Sequence, residues 1–189
     1  YGARFHLPKK LGDKARIVLF AGENVSDFRW FGGLFIGNVF DTGKADGFIL
    51  MTSSRKQFHI KALVEKVAPF IAWGVPHPRY NYCTVCGDNF GGGKLAAQHL
   101  IDQGRRRIAF LGGPAEELEV QYRYDGYVEA LQVVGMAPDP ALVAYGDFSN
   151  TSGAEAMRKL LEQAPDLDAV FVNSDLMAIE AMRTLRGAG

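Results

Sequence analysis

The sequence predicts an α/β fold, with parallel strands flanked by helices, and three observations predict it. Strand-like apolar runs alternate with segments whose apolar residues recur at helical spacing. Glycine or proline closes the helical runs, at Gly104, Gly135, Pro138 and Pro165. Strands and helices alternating at this length require a parallel sheet covered on both faces. With 48% hydrophobic side chains in 189 residues, the chain can bury the core of one full domain or of two small lobes.

In chain order, residues 16–20, 47–51 and 69–73 read as strands and 59–67 as a helix. From residue 81 the pattern becomes regular. Strands are expected at 82–86, 107–111, 142–145 and 169–172. Between them, Phe90, Gly93, Ala97, Leu100 and Ile101 mark one helical face, and Val120, Tyr124, Tyr127, Val128 and Leu131 a second. Met157, Leu160, Leu161 and Ala164 mark a third, with Ser152 and Glu155 reading as its capping box. The boundary between lobes is expected near Asp88. Residues 22–45, between the first two strands, are rich in Gly and Phe and have no clean period.

Several chemistries are excluded. Lysine plus arginine and aspartate plus glutamate number 21 each, so the formal charge is zero, without the basic footprint of a free-standing nucleic-acid binder. No apolar run reaches the roughly 18 residues of a membrane helix, and residues 1–10 lack the apolar core of a signal peptide, so the chain reads as soluble and cytoplasmic. The two cysteines, Cys83 and Cys86, fall on an expected strand rather than at a helix start, with no second Cys/His pair at zinc spacing; buried, reduced thiols are expected. His6, His59, His77 and His99 show no metal spacing, no catalytic motif is present, and neither a cofactor nor an enzymatic activity is expected. The run GDNFGGGKLAAQHL at 87–100 is not a P-loop: aspartate stands where its first glycine belongs, and Leu95 where the magnesium-binding hydroxyl belongs. Gly91, Gly93 and Ala96 satisfy a dinucleotide fingerprint, but the next strand ends in Leu111-Gly112-Gly113, without the acidic residue that would bind ribose. There remains a helix capped by Asp88 or Asn89, whose glycines pack closely on the sheet, with Asp88 at the carboxyl end of a strand, where open α/β sheets bind ligands.

Four motifs resemble those of the LacI/GalR-type bacterial transcription regulators, in order and in spacing. GDNFGGGKLAAQHLIDQGRRRIAFLGGP, from Gly87, is similar to the family's D-N-x-x-G-G-x-x-A-x-x-H-L…G-H-R-R-I-A-F-L-G-G-P block, with Arg105 in place of histidine. RYDGYVEAL at 123–131 is similar to its R-x-x-G-[YF]-x-x-A-L helix, YGDFSNTSGAEAMRKLL at 145–161 to its G-D-[FW] segment, and VNSDLMAIEAMRTLRGAG at 172–189 to A-N-D-x-M-A-x-G. The resemblance is strong over residues 81–189 and generic before them. It implies a two-lobed periplasmic-binding-protein-like fold, truncated at both ends: a hinge remnant at 1–15, an N-terminal lobe at 16–87 and a C-terminal lobe at 88–189. Between its first strand and the one matched to 47–51 the family places elements that occupy on the order of 60 residues; about two dozen stand here, so an omitted segment is expected.

The resemblance also implies a function: binding a small molecule, a sugar or related compound, in the cleft between the lobes to change operator affinity, in a homodimer that reaches operator DNA through a helix-turn-helix outside this sequence. A periplasmic sugar-binding protein of a transporter is the alternative. Arg123 matches the effector-binding arginine, whose planar fork holds two hydroxyls or a carboxylate. Phe148 matches an aromatic that stacks on a ring, and Asp88 an aspartate facing the cleft. Ser174 stands where the family usually has asparagine, so it keeps the helix cap while shortening the reach toward ligand. Trp73 and residues 22–28, Asn24 among them, are further candidates at strand ends of the first lobe.

Overall fold

The computed structural model describes residues 17–21, 40–51, 58–76 and 79–188. The chain divides into two compact units, Tyr1–Cys86 and Gly87–Gly189.

Among the described residues of the first unit, four parallel strands lie in the order β1-β2-β3-β4: β1 (Ile17–Ala21), β2 (Gly47–Met51), β3 (Phe70–Trp73) and β4 (Cys83–Val85). Ile17 pairs with Gly47 and Ile71 with Cys83. Helix α1 (Phe58–Glu65) joins β2 to β3, and its Ile60 and Leu63 are buried against Phe48, Leu50 and Ala68. Gly47 lies so close to Pro69 that a Cβ would stand 3.2 Å from its carbonyl oxygen. The expectation of buried cysteines is corrected here: Cys83 and Cys86 are free and exposed. Among the described strands the three-residue β4 lies at the edge of its sheet, and Cys86 lies beyond its end; neither thiol belongs to the described core. Residues 22–39 lie outside the described residues, and so do the expected hinge remnant and the expected omission.

The second unit follows the alternation read from the sequence. Helix α2 (Asn89–Asp102) leads to β5 (Ile108–Gly112), then α3 (Leu118–Val133), β6 (Val143–Tyr145), α4 (Asn150–Gln163), β7 (Ala169–Val172) and α5 (Asp175–Gly187). The strands are parallel in the order β6-β5-β7. Two cores flank them. One combines Ala97 and Ile101 of α2, Val120, Tyr127 and Leu131 of α3, and Ile108 and Phe110 of β5. The other combines Met157 and Leu160 of α4, Met177 and Ala181 of α5, and Ala109 and Leu111 of β5. Successive residues of β5 thus point to opposite faces, and with all five positions buried it is the fully covered central strand. Tyr127 donates its hydroxyl to the Ile108 carbonyl oxygen at 2.8 Å, which fixes α3 to β5, and burial raises its pKa.

Helices α2 and α5 carry side-chain caps at their starts, and α2 and α3 end as the glycines require. Gly104 (φ 83°) and Gly135 (φ 76°) take the left-handed conformation, and Arg105 N and Met136 N donate back to the carbonyls of Leu100 and Leu131. One expected cap is corrected. Helix α4 begins at Asn150, and Ser149, not Ser152, is its N-cap, accepting from Ser152 N at 3.2 Å. Ser152 is displaced into the first turn because the helix starts earlier than its apolar periodicity does. At the amino end of the sheet, Arg107 bonds Asp139 at 3.0 Å and Asp166 at 3.1 Å, which raises its pKa, while Asp168 accepts from the N–H groups of Arg106 and Arg107. Arg107 in the basic run is therefore paired inside its own unit. Among the described residues, no helix is long and apolar enough to cross a membrane.

Candidate functional site

The carboxyl end of the second sheet is a topological switch point. The helix that follows β5 packs on one face, while those that follow β6 and β7 pack on the other. Loops leaving neighbouring strands in opposite directions open a crevice at the strand ends, where open α/β sheets bind ligands.

Arg123 reaches this crevice from the second turn of α3, because two glycines let α2 and α3 touch backbone to backbone. A Cβ on Gly93 would stand 2.2 Å from the Arg123 carbonyl oxygen, and one on Gly126 would stand 2.1 Å from that of Phe90. Neither contact admits a side chain. With the helices so close, Arg123 Nε donates to Asn89 Oδ1 at 2.9 Å and Nη1 donates to the Asn173 carbonyl oxygen at 2.9 Å. The guanidinium is thus anchored to the start of α2 and to the end of β7. Two of its five N–H groups are used, leaving three for a further acceptor.

Asp88 caps α2. Its Oδ1 accepts from Gly91 N at 2.8 Å, and a Cβ on Gly91 would stand 2.3 Å from Oδ2. Ser174 caps α5, accepting from Met177 N at 3.3 Å. Both side chains satisfy helix ends, as short oxygen-bearing residues at these positions do. Asp88 also stands next to Asn89, and Ser174 next to Asn173, so the two caps flank the anchored arginine.

Phe148 lies in the turn from β6 to α4 with φ 70°, rare for a bulky side chain and worth about 1–3 kcal/mol of strain. The turn over-determines it. Asp147 Oδ1 accepts from Ser149 N at 2.9 Å, and Asp147 N donates to Ser152 Oγ at 3.0 Å. Hydrogen bonds from Ser149 and then Ser152 hold the Asp147 carboxyl down at about 2. The ring tip of Phe148 overlies Gly113, just past β5, where a Cβ would stand 2.1 Å from Cζ. The ring is half-buried and borders both cores.

The second unit therefore gathers Asp88, Arg123, Phe148 and Ser174 at one end of one sheet. Trp73 belongs to the first unit, exposed at the last position of β3, and Asn24 lies outside the described residues. Two residues are added that motif reading passed over, Asn89, which orients the arginine, and Asn173, which is buried at 8% exposure. A signal for Asn173 was present: an amide that continues the apolar run 169–172 must find a partner or remain without one.

Comparison with known proteins identifies the family. Residues 38–189 match the family described as periplasmic binding proteins and sugar binding domain of LacI family. The chain is 40% identical over 178 residues to the HTH-type transcriptional regulator CelR of Thermobifida fusca, covering 92% of this chain and 50% of that protein. It is 34% identical over 149 residues to the HTH-type transcriptional repressor CytR of Escherichia coli K12, covering 78% of this chain and 43% of that one. The chain thus spans about half the length of these curated relatives. Among solved structures, a CelR–cellobiose complex superposes with a TM-score of 0.76 at 33% identity, over 93% of this chain and 64% of that one. A LacI-family regulatory protein from Chloroflexus aggregans does so with 0.77 at 27% identity, over 87% and 58%. Matched over most of its length by the family and by two regulators at more than 30% identity, the chain belongs to the family of periplasmic binding proteins and LacI-family sugar-binding domains.

Proposed function

We propose that the chain is the effector-sensing and dimerising part of a LacI-type DNA-binding transcriptional regulator. Its effector is a small polyhydroxyl compound, a sugar, bound at the carboxyl end of the second sheet. It works in the cytoplasm, carries out no catalysis, and acts on operator DNA through a segment outside this sequence. The relatives support a regulator over a transporter component, since both CelR and CytR are named as HTH-type regulators.

One observation carries the reading: Arg123 is locked at a switch point with N–H groups to spare. A guanidinium presents its donors in a rigid plane, matching the oxygens of a vicinal diol. The half-buried ring of Phe148, fixed over Gly113 by its strained turn, suits the apolar face of a pyranose. Asp88 and Ser174 add acceptor oxygens at the rim. An effector that binds one conformation of the protein better than another shifts the population between them, and operator affinity follows by linkage.

The test is a titration of the intact protein with cellobiose and a panel of mono- and disaccharides, by calorimetry and by thermal shift. A bound sugar at 100 times its Kd stabilises the folded state by about 2.7 kcal/mol. Arg123→Ala is expected to lower affinity at least about tenfold, since a charge-assisted hydrogen bond contributes about 1.5–3 kcal/mol, while the variant stays folded. Affinity within twofold of wild type would refute the assignment.

A further inference from the structure

We infer that Asn173 is a specificity-determining residue of this site, its carboxamide selecting effectors that present a hydroxyl able to donate and accept at once. The inference rests on the sugar-binding reading above and names a contact that the reading does not include.

The backbone of Asn173 is fully committed. Its N–H donates to the Leu111 carbonyl oxygen at 3.0 Å, extending the β7 ladder on β5 by one rung, and its carbonyl oxygen accepts from Arg123 Nη1 at 2.9 Å. The side chain is the opposite case. Nδ2 and Oδ1 are both buried, and neither has a hydrogen-bond partner among the described residues. Side chains alternate along a strand, so Asn173 falls on the face of Ala169 and Phe171, which pack toward α2 and α3, and not on that of Val170 and Val172. That is the face from which Arg123 and Asn89 approach the strand end.

An amide without a partner in such a place is costly, because burial removes its water and returns nothing. No packing advantage explains it, since a leucine of similar size would fill the position without polar atoms to satisfy. The backbone of the same residue holds the arginine, so a group seated on Arg123 lies beside the amide. A carboxamide offers donor and acceptor side by side, and a sugar hydroxyl offers the same pair in reverse. Sites built to hydrogen-bond a hydroxyl reject the deoxy analogue strongly, because the protein's own polar groups are then left unpaired.

The experiment compares Asn173→Leu with wild type and Arg123→Ala in the intact protein. The probes are cellobiose, the saccharide panel and monodeoxy derivatives of whichever sugar binds tightest. The ligand-free Asn173→Leu protein is expected to melt at or above the wild-type temperature, because an unsatisfied amide has been replaced by an apolar isostere. Its affinity for the sugar is expected to fall at least tenfold, and its discrimination against one deoxy derivative to collapse to within twofold. A melting temperature clearly below wild type would show the amide already satisfied in the free protein and overturn the inference. If the wild type binds, Arg123→Ala loses binding and Asn173→Leu keeps it within twofold, this inference alone fails. If no saccharide binds the wild type, or Arg123→Ala binds unchanged, the parent reading fails and takes this one with it.

Discussion

Phe148 shows how a single residue is given an orientation that it would not choose. Its left-handed backbone is maintained by Asp147 and Ser149 on either side, so the carboxylate in the G-D-F motif serves the aromatic beside it. That dependence has a pH signature. The folded carboxyl titrates at about 2, below its ordinary value of 3.8. Its contribution to the turn is therefore complete above 3.8 and is lost as pH falls toward 2. Carboxyl carbon NMR should place the Asp147 midpoint near 2, and Ser149→Ala should move it up toward the ordinary value. A wild-type midpoint at 3.8 or above would mean that the turn does not hold the charged form.

At the scale of elements, the motif glycines are packing devices before they are anything else. Gly93 and Gly126 let α2 and α3 meet, and Gly153 does the same for α4 and α5, where a Cβ would stand 2.7 Å from the Cα of Met177. Gly126→Ala weighs two effects. Alanine gains about 1 kcal/mol of helix propensity, but its Cβ meets main-chain atoms that cannot rotate away, and overpacking costs about 1–3 kcal/mol or more. The clash wins. The urea midpoint should fall with an unchanged m-value, and affinity for the proposed sugar effector should fall with it, because α3 carries Arg123 away from Asn89. The opposite case is Val67, at the end of α1, with φ 52° and 86% exposure. Left-handed backbone costs a non-glycine residue about 1–2 kcal/mol, and glycine's greater freedom in the unfolded chain offsets about half of that. Val67→Gly is expected to stabilise the protein by about 0.5–1 kcal/mol, read as a higher melting temperature; a lower one would contradict it.

At the scale of the whole molecule, the proposed dimer has a candidate face. Leu176, Ile179 and Met182 of α5 are exposed large apolar residues at spacings of three, whereas Met177 and Ala181 on the same helix are buried in the core. A C2 interface needs such a self-complementary apolar patch. Sedimentation of the intact protein should show a dimer, and Ile179→Asp should shift it toward monomer without lowering the helical signal. A wild type that stays monomeric at high concentration would remove the dimer from the proposal.

The sequence by itself determined the alternation of the second unit, the carboxyl ends of α2 and α3 and membership in a family. These depend on local periodicity, on the conformational freedom of glycine at Gly104 and Gly135, and on motifs contiguous in the chain. It also led to Arg123, Phe148, Asp88 and Ser174 as residue types in a pattern. Only the tertiary structure decided what surrounds them. The cap of α4 moved to Ser149 because capping depends on where the turn after β6 places a hydroxyl, which apolar spacing does not record. The cysteines came out exposed because burial depends on strand order, and β4 is an edge among the described strands. Asn89 and Asn173 took on their roles only as partners of an arginine 34 and 50 residues away. A buried group's hydrogen bonds are set by what folds against it, and only in three dimensions does one amide stand out as unpaired.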